Sequence, residues 1–362
     1  MDAVVKQRDA QVEAAISHWA PRFVANGVPL TDFQEVTAGL ERWDDWCAAW
    51  SARAAVHEEL GDRAFADGCK LSAGEHWTRA ALCYHFGKFL FVNDPAQMKA
   101  AHRKVVACRN KALPYLRPPG ERVEIPYEGK RLYGILRKPA EAAKPPIAVM
   151  CMGLDSTKEE MDDYENRFLR RGVATLAFDG PGQGEAEDDF PITPEYEKPV
   201  AAVLDYLESR HDVDLARIGI WGVSFGGYYA PRAAAFDKRI KACVALSGAY
   251  QRTASFEGRP KLNVEAFRVR SKSATLEEAG RVALRVSLKG IARNITCPIY
   301  IVAGTNDRLT TVSAAGQLAA EVSGPCVLSI VEGGNHVVNN LWYRYRDQTA
   351  DWMAAQLGAA KK

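Results

Sequence analysis

A serine hydroxyl attacks carbonyls near neutral pH only when a base takes its proton and a carboxylate orients that base. The chain supplies a serine in the right setting. Gly222-Val223-Ser224-Phe225-Gly226-Gly227 follows the apolar run Arg217-Ile218-Gly219-Ile220-Trp221. A serine flanked by glycines at the exit of a buried strand is the pattern of a nucleophile elbow, where the backbone turns so sharply into a helix that only small neighbours fit. Such a turn lifts the Ser224 hydroxyl clear of the sheet, beside backbone N–H groups that can hold an oxyanion.

The base and the carboxylate are expected later in the chain, each in a loop at the C-terminal end of a strand. Ile299 to Gly304 reads as a strand that opens into Thr305-Asn306-Asp307, and Val327 to Glu332 as the last strand, leaving through Gly333-Gly334-Asn335-His336. After residue 113 there are two histidines, His211 and His336. His211 precedes the strand that ends at the serine, which puts it at the opposite edge of the sheet. The expected set is therefore Ser224 as nucleophile, His336 as base and Asp307 as orienting carboxylate. Among rivals to Asp307, Asp179 is assigned to fixing the loop Gly180-Pro181-Gly182-Gln183-Gly184. Glu332 is too near His336 in sequence to reach round easily, and Glu257 reads as a surface charge or a contact to a polar substrate group. The oxyanion hole is expected from the N–H groups of Phe225 and Leu154, the latter in the loop after the strand that ends at Met152-Gly153. Asp155-Ser156-Thr157-Lys158-Glu159-Glu160 holds two overlapping Ser/Thr-x-x-Glu boxes, which read as a capped helix start.

Two regions must position these residues. Residues 1–117 read as a helical domain: Trp43, Trp46, Trp50 and Ala54 recur at helical spacing, as do Trp77, Ala80, Ala81, Tyr84, Lys88 and Phe91 after Ser72, an expected cap. These aromatics read first as a core. Tyr84 and His85 are the residues there to test as substrate contacts. Leu113-Pro114 and Arg117-Pro118-Pro119-Gly120 break the pattern, and residues 118–362 read as an α/β domain. Val123 to Tyr127 and Leu132 to Lys138 make an antiparallel hairpin. Six short apolar runs then follow: Ile147 to Met152, Val173 to Phe178, Ile218 to Trp221, Ile240 to Leu246, Ile299 to Ala303 and Val327 to Val331. Continuous apolar runs alternating with helices write a parallel sheet buried on both faces, so eight strands are expected. Residues 248–297 are too long for a plain crossover and are expected to hold helices near the site. A closing helix is expected from about Leu341, and the end, Ala359 to Lys362, to fray.

Composition removes other classes. The 362 residues carry 47 Lys plus Arg against 45 Asp plus Glu, a net charge of +2, which suggests neither a nucleic-acid nor a membrane partner. Residues 1–20 carry Lys6, Arg8, Asp9 and Glu13 and no apolar core of a secretory signal. Eight scattered cysteines without a C-x-x-C pair point to reduced thiols and a cytoplasmic place. With no H-x-x-x-H pair on a helix face, no metal is expected.

With these residues in place, the chain resembles the α/β-hydrolase superfamily. Within it, the chain is similar to the family of 2,6-dihydroxypseudooxynicotine hydrolase and the fungal polyketide chain-shortening hydrolases. The narrower likeness rests on Gly153-Leu154-Asp155-Ser156-Thr157-Lys158-Glu159-Glu160, on Asp179 to Glu185, on Gly222 to Gly227, and on Ser72 to Ala80 in the helical region. Met152 stands where many superfamily members have histidine, which leaves a backbone donor intact. The resemblance implies a helical N-terminal cap, a homodimer, no cofactor, and cleavage of a carbon–carbon bond next to a ketone in an aromatic or polyketide-like small molecule. Ester or amide hydrolysis by the same three residues stays open, as does a non-catalytic regulatory protein on the same scaffold.

Overall fold

The structure, a computed structural model, describes residues 8–359. Residues 1–7 of the expected signal-free start, and residues 360–362 of the expected frayed end, lie outside them. Two compact units are present: residues 1–117 with 260–266, and residues 118–259 with 267–362.

The first unit is built from α1 (Ala10–Ala25), α2 (Leu30–Ala38), α3 (Trp46–Ala66), α4 (Lys70–Lys88) and α5 (Pro95–Ala112). Its core is aromatic. Phe23 stacks on Phe86 at 3.9 Å, Trp43 stacks on Trp46 at 4.9 Å, and Trp46 Nε1–H donates to the Phe86 carbonyl at 2.9 Å. The periodic tryptophans thus fill a helical interior, where burial of large rings supplies most of the stabilisation. Ser72 does not cap a helix: α4 already starts at Lys70, after the turn at Gly68, whose φ of +79° is open to glycine. Glu75, inside that helix, lies 3.8 Å from Arg79 one turn on.

The second unit holds all eight strands: β1 (Gly120–Tyr127), β2 (Lys130–Arg137), β3 (Ile147–Cys151), β4 (Ala174–Asp179), β5 (Ile218–Val223), β6 (Ile240–Leu246), β7 (Ile299–Gly304) and β8 (Cys326–Val331). Their order is β1-β2-β4-β3-β5-β6-β7-β8; β2 pairs antiparallel with both β1 and β4, and the remaining pairs are parallel. Helices α6 (Asp162–Leu169), α7 (Glu197–Glu208), α8 (Gly226–Phe236), α9 (Lys261–Arg270), α10 (Leu276–Leu284), α11 (Val312–Glu321) and α12 (Arg346–Gln356) complete the chain. The long segment after β6 contains α9 and α10, as its length requires. β3 through β7 are buried almost without interruption, which is why they read as unbroken apolar runs. β8 departs from that expectation. It is one of the two edge strands, and Val327, Leu328 and Ile330 are about two-fifths exposed. An edge has a neighbour on one side only, and nothing in a short apolar run encodes that.

The order of the sheet fixes where a site can form. From β3 the chain crosses to β4 on one side, then returns to β5 on the other. The loops leaving β3 and β5 therefore part at the carboxyl edge, the place where open α/β sheets bind ligands. Cys151 pairs with Gly222 in that register, which brings Gly153 level with Ser224. Among the described residues no helix is long and apolar enough to cross a membrane, and all eight cysteines are unpaired.

Candidate active site

Ser224 follows β5 directly and has φ of +58°, a left-handed backbone that a non-glycine residue adopts only where its surroundings force it. The forcing is steric. A Cβ at Gly222 would run into the Gly226 carbonyl, and one at Gly226 into the Cys151 carbonyl, so the strand and helix approach as only glycine permits. The Ser224 N–H donates to the Leu246 carbonyl at 2.8 Å, which ties the elbow to the end of β6.

Ser224 Oγ lies 2.7 Å from His336 Nε2, and His336 Nδ1 lies 2.9 and 2.8 Å from the two carboxylate oxygens of Asp307. An ionised carboxylate only accepts, so Nδ1 carries the proton and Nε2 is left to accept from the serine hydroxyl. Asp307 is held in turn: its Oδ1 accepts from the Leu309 and Thr310 N–H groups at 2.8 and 3.0 Å, and its Oδ2 from the Thr310 hydroxyl at 2.7 Å. Burial alone would raise the Asp307 carboxyl, but the His336 ring and these Thr310 donors outweigh it and bring the group down to about 2.

The loop that carries His336 is constrained at both ends. Val337 and Val338 have φ of +61° and +54°, two successive β-branched residues in the left-handed region. The Val337 N–H donates to Ser247 Oγ at 3.0 Å, and Asn340 Nδ2 donates to the Gly333 carbonyl at 2.9 Å. These side-chain bonds compete with helix formation. The stretch from His336 to Arg344 is therefore a kinked 3₁₀ segment, and α12 starts at Arg346 rather than near Leu341.

The Phe225 and Leu154 N–H groups make no hydrogen bond to any of the described residues. The loop that carries Leu154 rests against the serine: a Cβ at Gly153 would sit 3.2 Å from Ser224 Cβ. Its carbonyls are occupied by side chains that the sequence did not single out. Gln183 Nε2–H₂ meets the Met152 and Gly153 carbonyls at 2.9 and 2.7 Å, and Arg270 donates to the Leu154 carbonyl at 3.1 Å. Tyr196 O–H donates to Gln183 Oε1 at 2.9 Å and fixes that amide. With the carbonyls turned to these donors, the loop's amides are free to face elsewhere.

Of the remaining expected contacts, Tyr84 and His85 lie on α4 of the helical unit. Both are buried: the Tyr84 hydroxyl donates to Glu58 at 3.0 Å, and the His85 ring meets Phe86 edge-on. Glu257 is exposed, and its carboxylate has no partner among the described residues, which fits its reading as a surface charge. The Asp155 to Glu160 stretch forms only a 3₁₀ turn at Lys158–Glu160, and Thr157 does not cap it through its side chain. Two groups of side chains bring potential metal ligands within 4.8 Å of one another, Glu159 with Asp179 and Glu185, and Asp32 with His57 and Cys83. In the first the Lys158 ammonium stands among the three carboxylates. In the second, Asp32 is already bound to Arg53 and His57.

A mostly parallel eight-stranded sheet with flanking helices, a serine on a strained strand-to-helix elbow, and a histidine and an aspartate in the loops after β8 and β7 define an α/β-hydrolase. The chain belongs to the FrsA-like esterase family, whose model matches residues 31–358. It is 34% identical over 358 residues to 2,6-dihydropseudooxynicotine hydrolase of Paenarthrobacter nicotinovorans, covering 97% of this chain and 94% of that one. The crystal structure of the 2,6-dihydroxy-pseudo-oxynicotine hydrolase superposes with a TM-score of 0.86 at 32% identity, over 94% of this chain and 96% of that one. The α/β hydrolase xenA of Xenoacremonium sinensis is 34% identical over 238 residues, which span 61% of this chain and 56% of that protein. The protein is a hydrolase.

Proposed function

We propose that this hydrolase cleaves a carbon–carbon bond next to a ketone, in a β-diketone or an acylated aromatic ring, through an acyl-enzyme on Ser224. The observation that carries the chemistry is the unbroken hydrogen-bonded line from Ser224 Oγ through His336 to Asp307. The kinship with 2,6-dihydropseudooxynicotine hydrolase along nearly the whole chain supports the choice of bond. Ser224 Oγ attacks the carbonyl carbon while His336 Nε2 takes its proton, and Asp307 holds the imidazole tautomer and stabilises the imidazolium. The oxyanion rests on the Phe225 and Leu154 N–H groups, each worth about 3 kcal/mol to the transition state. The carbon–carbon bond then breaks, the departing carbanion takes the proton from His336, and water hydrolyses the acyl ester to give an acid. A carbanion leaves less readily than an alkoxide, so the substrate itself must delocalise the charge, which points to a conjugated partner. The same proposal gives selection of that partner to the helical unit, and makes the protein a cytoplasmic homodimer that needs no cofactor.

Ester hydrolysis by the same residues is the second reading, favoured by the family's description as esterase-like. Turnover of an aryl β-diketone and of the matching ester, with product masses determined, separates the two. Faster cleavage of the diketone into an acid and a ketone is the expected result. Ester turnover with an inert diketone overturns the carbon–carbon reading and leaves the esterase one.

A further inference from the structure

Buried guanidinium groups in the α/β unit are paired. Arg137 lies 3.2 and 3.4 Å from Asp162 and Glu165, Arg232 3.0 Å from Glu197, Arg270 3.4 Å from Glu187 and Arg346 2.7 Å from Asp163. Arg252, a half-buried residue, has no such partner. Its guanidinium makes no hydrogen bond or ion pair with any described residue, and its Nε is buried without a partner. Instead it lies over two aromatic rings, 4.7 Å from the centre of Phe225 and 5.2 Å from that of Phe267.

Its place in the fold is informative. Arg252 sits in the segment that leaves β6, between the loops after β5 and β7, at the carboxyl edge where Ser224 and Asp307 stand. Phe225, the ring beneath it, is the residue next to the serine. The backbone that carries Arg252 is pinned: its N–H donates to the Val286 carbonyl at 2.9 Å, and Gln251 bridges Ser287 in an isolated antiparallel pair. A second cation, Arg259, spends one N–H on the Leu309 carbonyl at 3.3 Å, beside the residues that hold Asp307, and has no carboxylate partner either. Nearby, the Tyr229 hydroxyl is buried without a partner, its ring 4.6 Å from that of Phe225 and stacked on Tyr196. Burial, and next the like charge of Arg259, pull the Arg252 guanidinium down to about 10. It therefore remains a cation at neutral pH. Ring faces offset only part of the cost of such a charge, whereas an anionic oxygen would meet both its charge and its unspent N–H donors.

We propose that Arg252, with Arg259 beside it, binds an anionic oxygen of the substrate, a carboxylate or an aryl oxide, and so makes this enzyme selective for negatively charged aryl carbonyl compounds. Arg252 sets specificity and takes no part in proton transfer. The proposal rests on the placing of the reaction at Ser224, so binding and chemistry are to be read separately. Isothermal titration calorimetry of the full chain with benzoate, 4-nitrophenolate and benzamide reads binding, while labelling of Ser224 by a fluorophosphonate reads the nucleophile.

Benzoate or 4-nitrophenolate is expected to bind at least about tenfold more tightly than neutral benzamide, the size of one charge-assisted hydrogen bond, and whichever anion wins identifies the oxygen. In Arg252→Met, which keeps the apolar stem over Phe225, the preference is expected to vanish. Arg252→Lys keeps the charge but loses the planar fork, and is expected to retain part of it. Equal binding of all three compounds by the natural protein, or an anion preference that survives in Arg252→Met, overturns the proposal. If Arg252→Met does not fold, undiminished benzoate binding by Arg252→Lys does so too. Anion preference without Ser224 labelling overturns the reaction at Ser224 and leaves the anion site standing.

Discussion

Two buried clusters stand at the carboxyl edge of this sheet, each pairing a nitrogen base with carboxylate, and they are wired differently. Lys158 Nζ lies 2.6 Å from Glu159, 2.7 Å from Asp179 and 2.8 Å from Glu185, so one ammonium charge stands among three carboxylates. Asp179 also accepts from the N–H groups of Lys158 and Glu185 at 2.9 and 3.0 Å, which stitches the loop after β3 to the loop after β4. Burial works to strip the ammonium of its proton, but the three carboxylates hold it well above the ordinary lysine range. The ammonium keeps its proton among these charges, and the cluster holds loops in place. In the other cluster one carboxylate faces one ring nitrogen, and the second nitrogen meets a hydroxyl at 2.7 Å. That proton has somewhere to go. The difference between a scaffold and a reactive site here is the number of carboxylates per base, and whether the last partner is one that can lose its proton.

This contrast is sharpest in activity. Ser224→Ala is expected to lower turnover by about four orders of magnitude or more while leaving stability within about 1 kcal/mol. Turnover retained in that variant, with the product unchanged, removes Ser224 as nucleophile. Asp307→Asn is expected to cost kcat about 10⁴-fold by stabilising the wrong imidazole tautomer; a loss under tenfold would mean that Asp307 does not orient the base. Lys158→Met inverts the pattern. It strands buried carboxylates without their cation and is expected to cost about 3–5 kcal/mol in urea unfolding. A variant as stable as the natural protein would show that the cage is not structural.

The two clusters also differ in how far they could be read from the chain. Ser224, Asp307 and His336 were legible because each sits at a strand exit, and strand exits announce themselves as apolar runs that stop at glycine or asparagine. The eight strands were legible for the same reason. Asp179 could be assigned to its loop from local sequence, but Gln183 and Arg270, which hold the loop after β3, could not. Gln183 reaches carbonyls thirty residues back, and Arg270 one more than a hundred residues away. Side-chain bonds of that span leave no period and no motif. Local motifs misled where tertiary contacts overrode them: Thr157-Lys158-Glu159-Glu160 resembles a capped helix start, yet the burial of Lys158 among carboxylates decided its course.

The smallest expected effect probes the carboxylate that the two readings share in kind. Thr310 Oγ1 lies 2.7 Å from Asp307 Oδ2 and 3.1 Å from the Ser247 carbonyl, and as a single donor it serves the nearer, charged oxygen. Thr310→Val removes that donor at nearly constant volume and is expected to cost about 1–2 kcal/mol, with a several-fold loss of kcat. The cost should depend on pH in a definite sense. A carboxyl held down at about 2 in the folded protein and titrating near 3.9 when unfolded contributes stability that is present above the unfolded value and is lost as pH falls toward the folded one. Weakening the interaction raises the folded value, so the gap between the natural protein and Thr310→Val is expected to be full at pH 5 and above and to close as pH falls through 4 toward 2. Urea unfolding of both proteins at pH 7, 4 and 3 measures it. A gap that stays constant, or widens in acid, would mean that Thr310 acts through packing and not through the Asp307 charge.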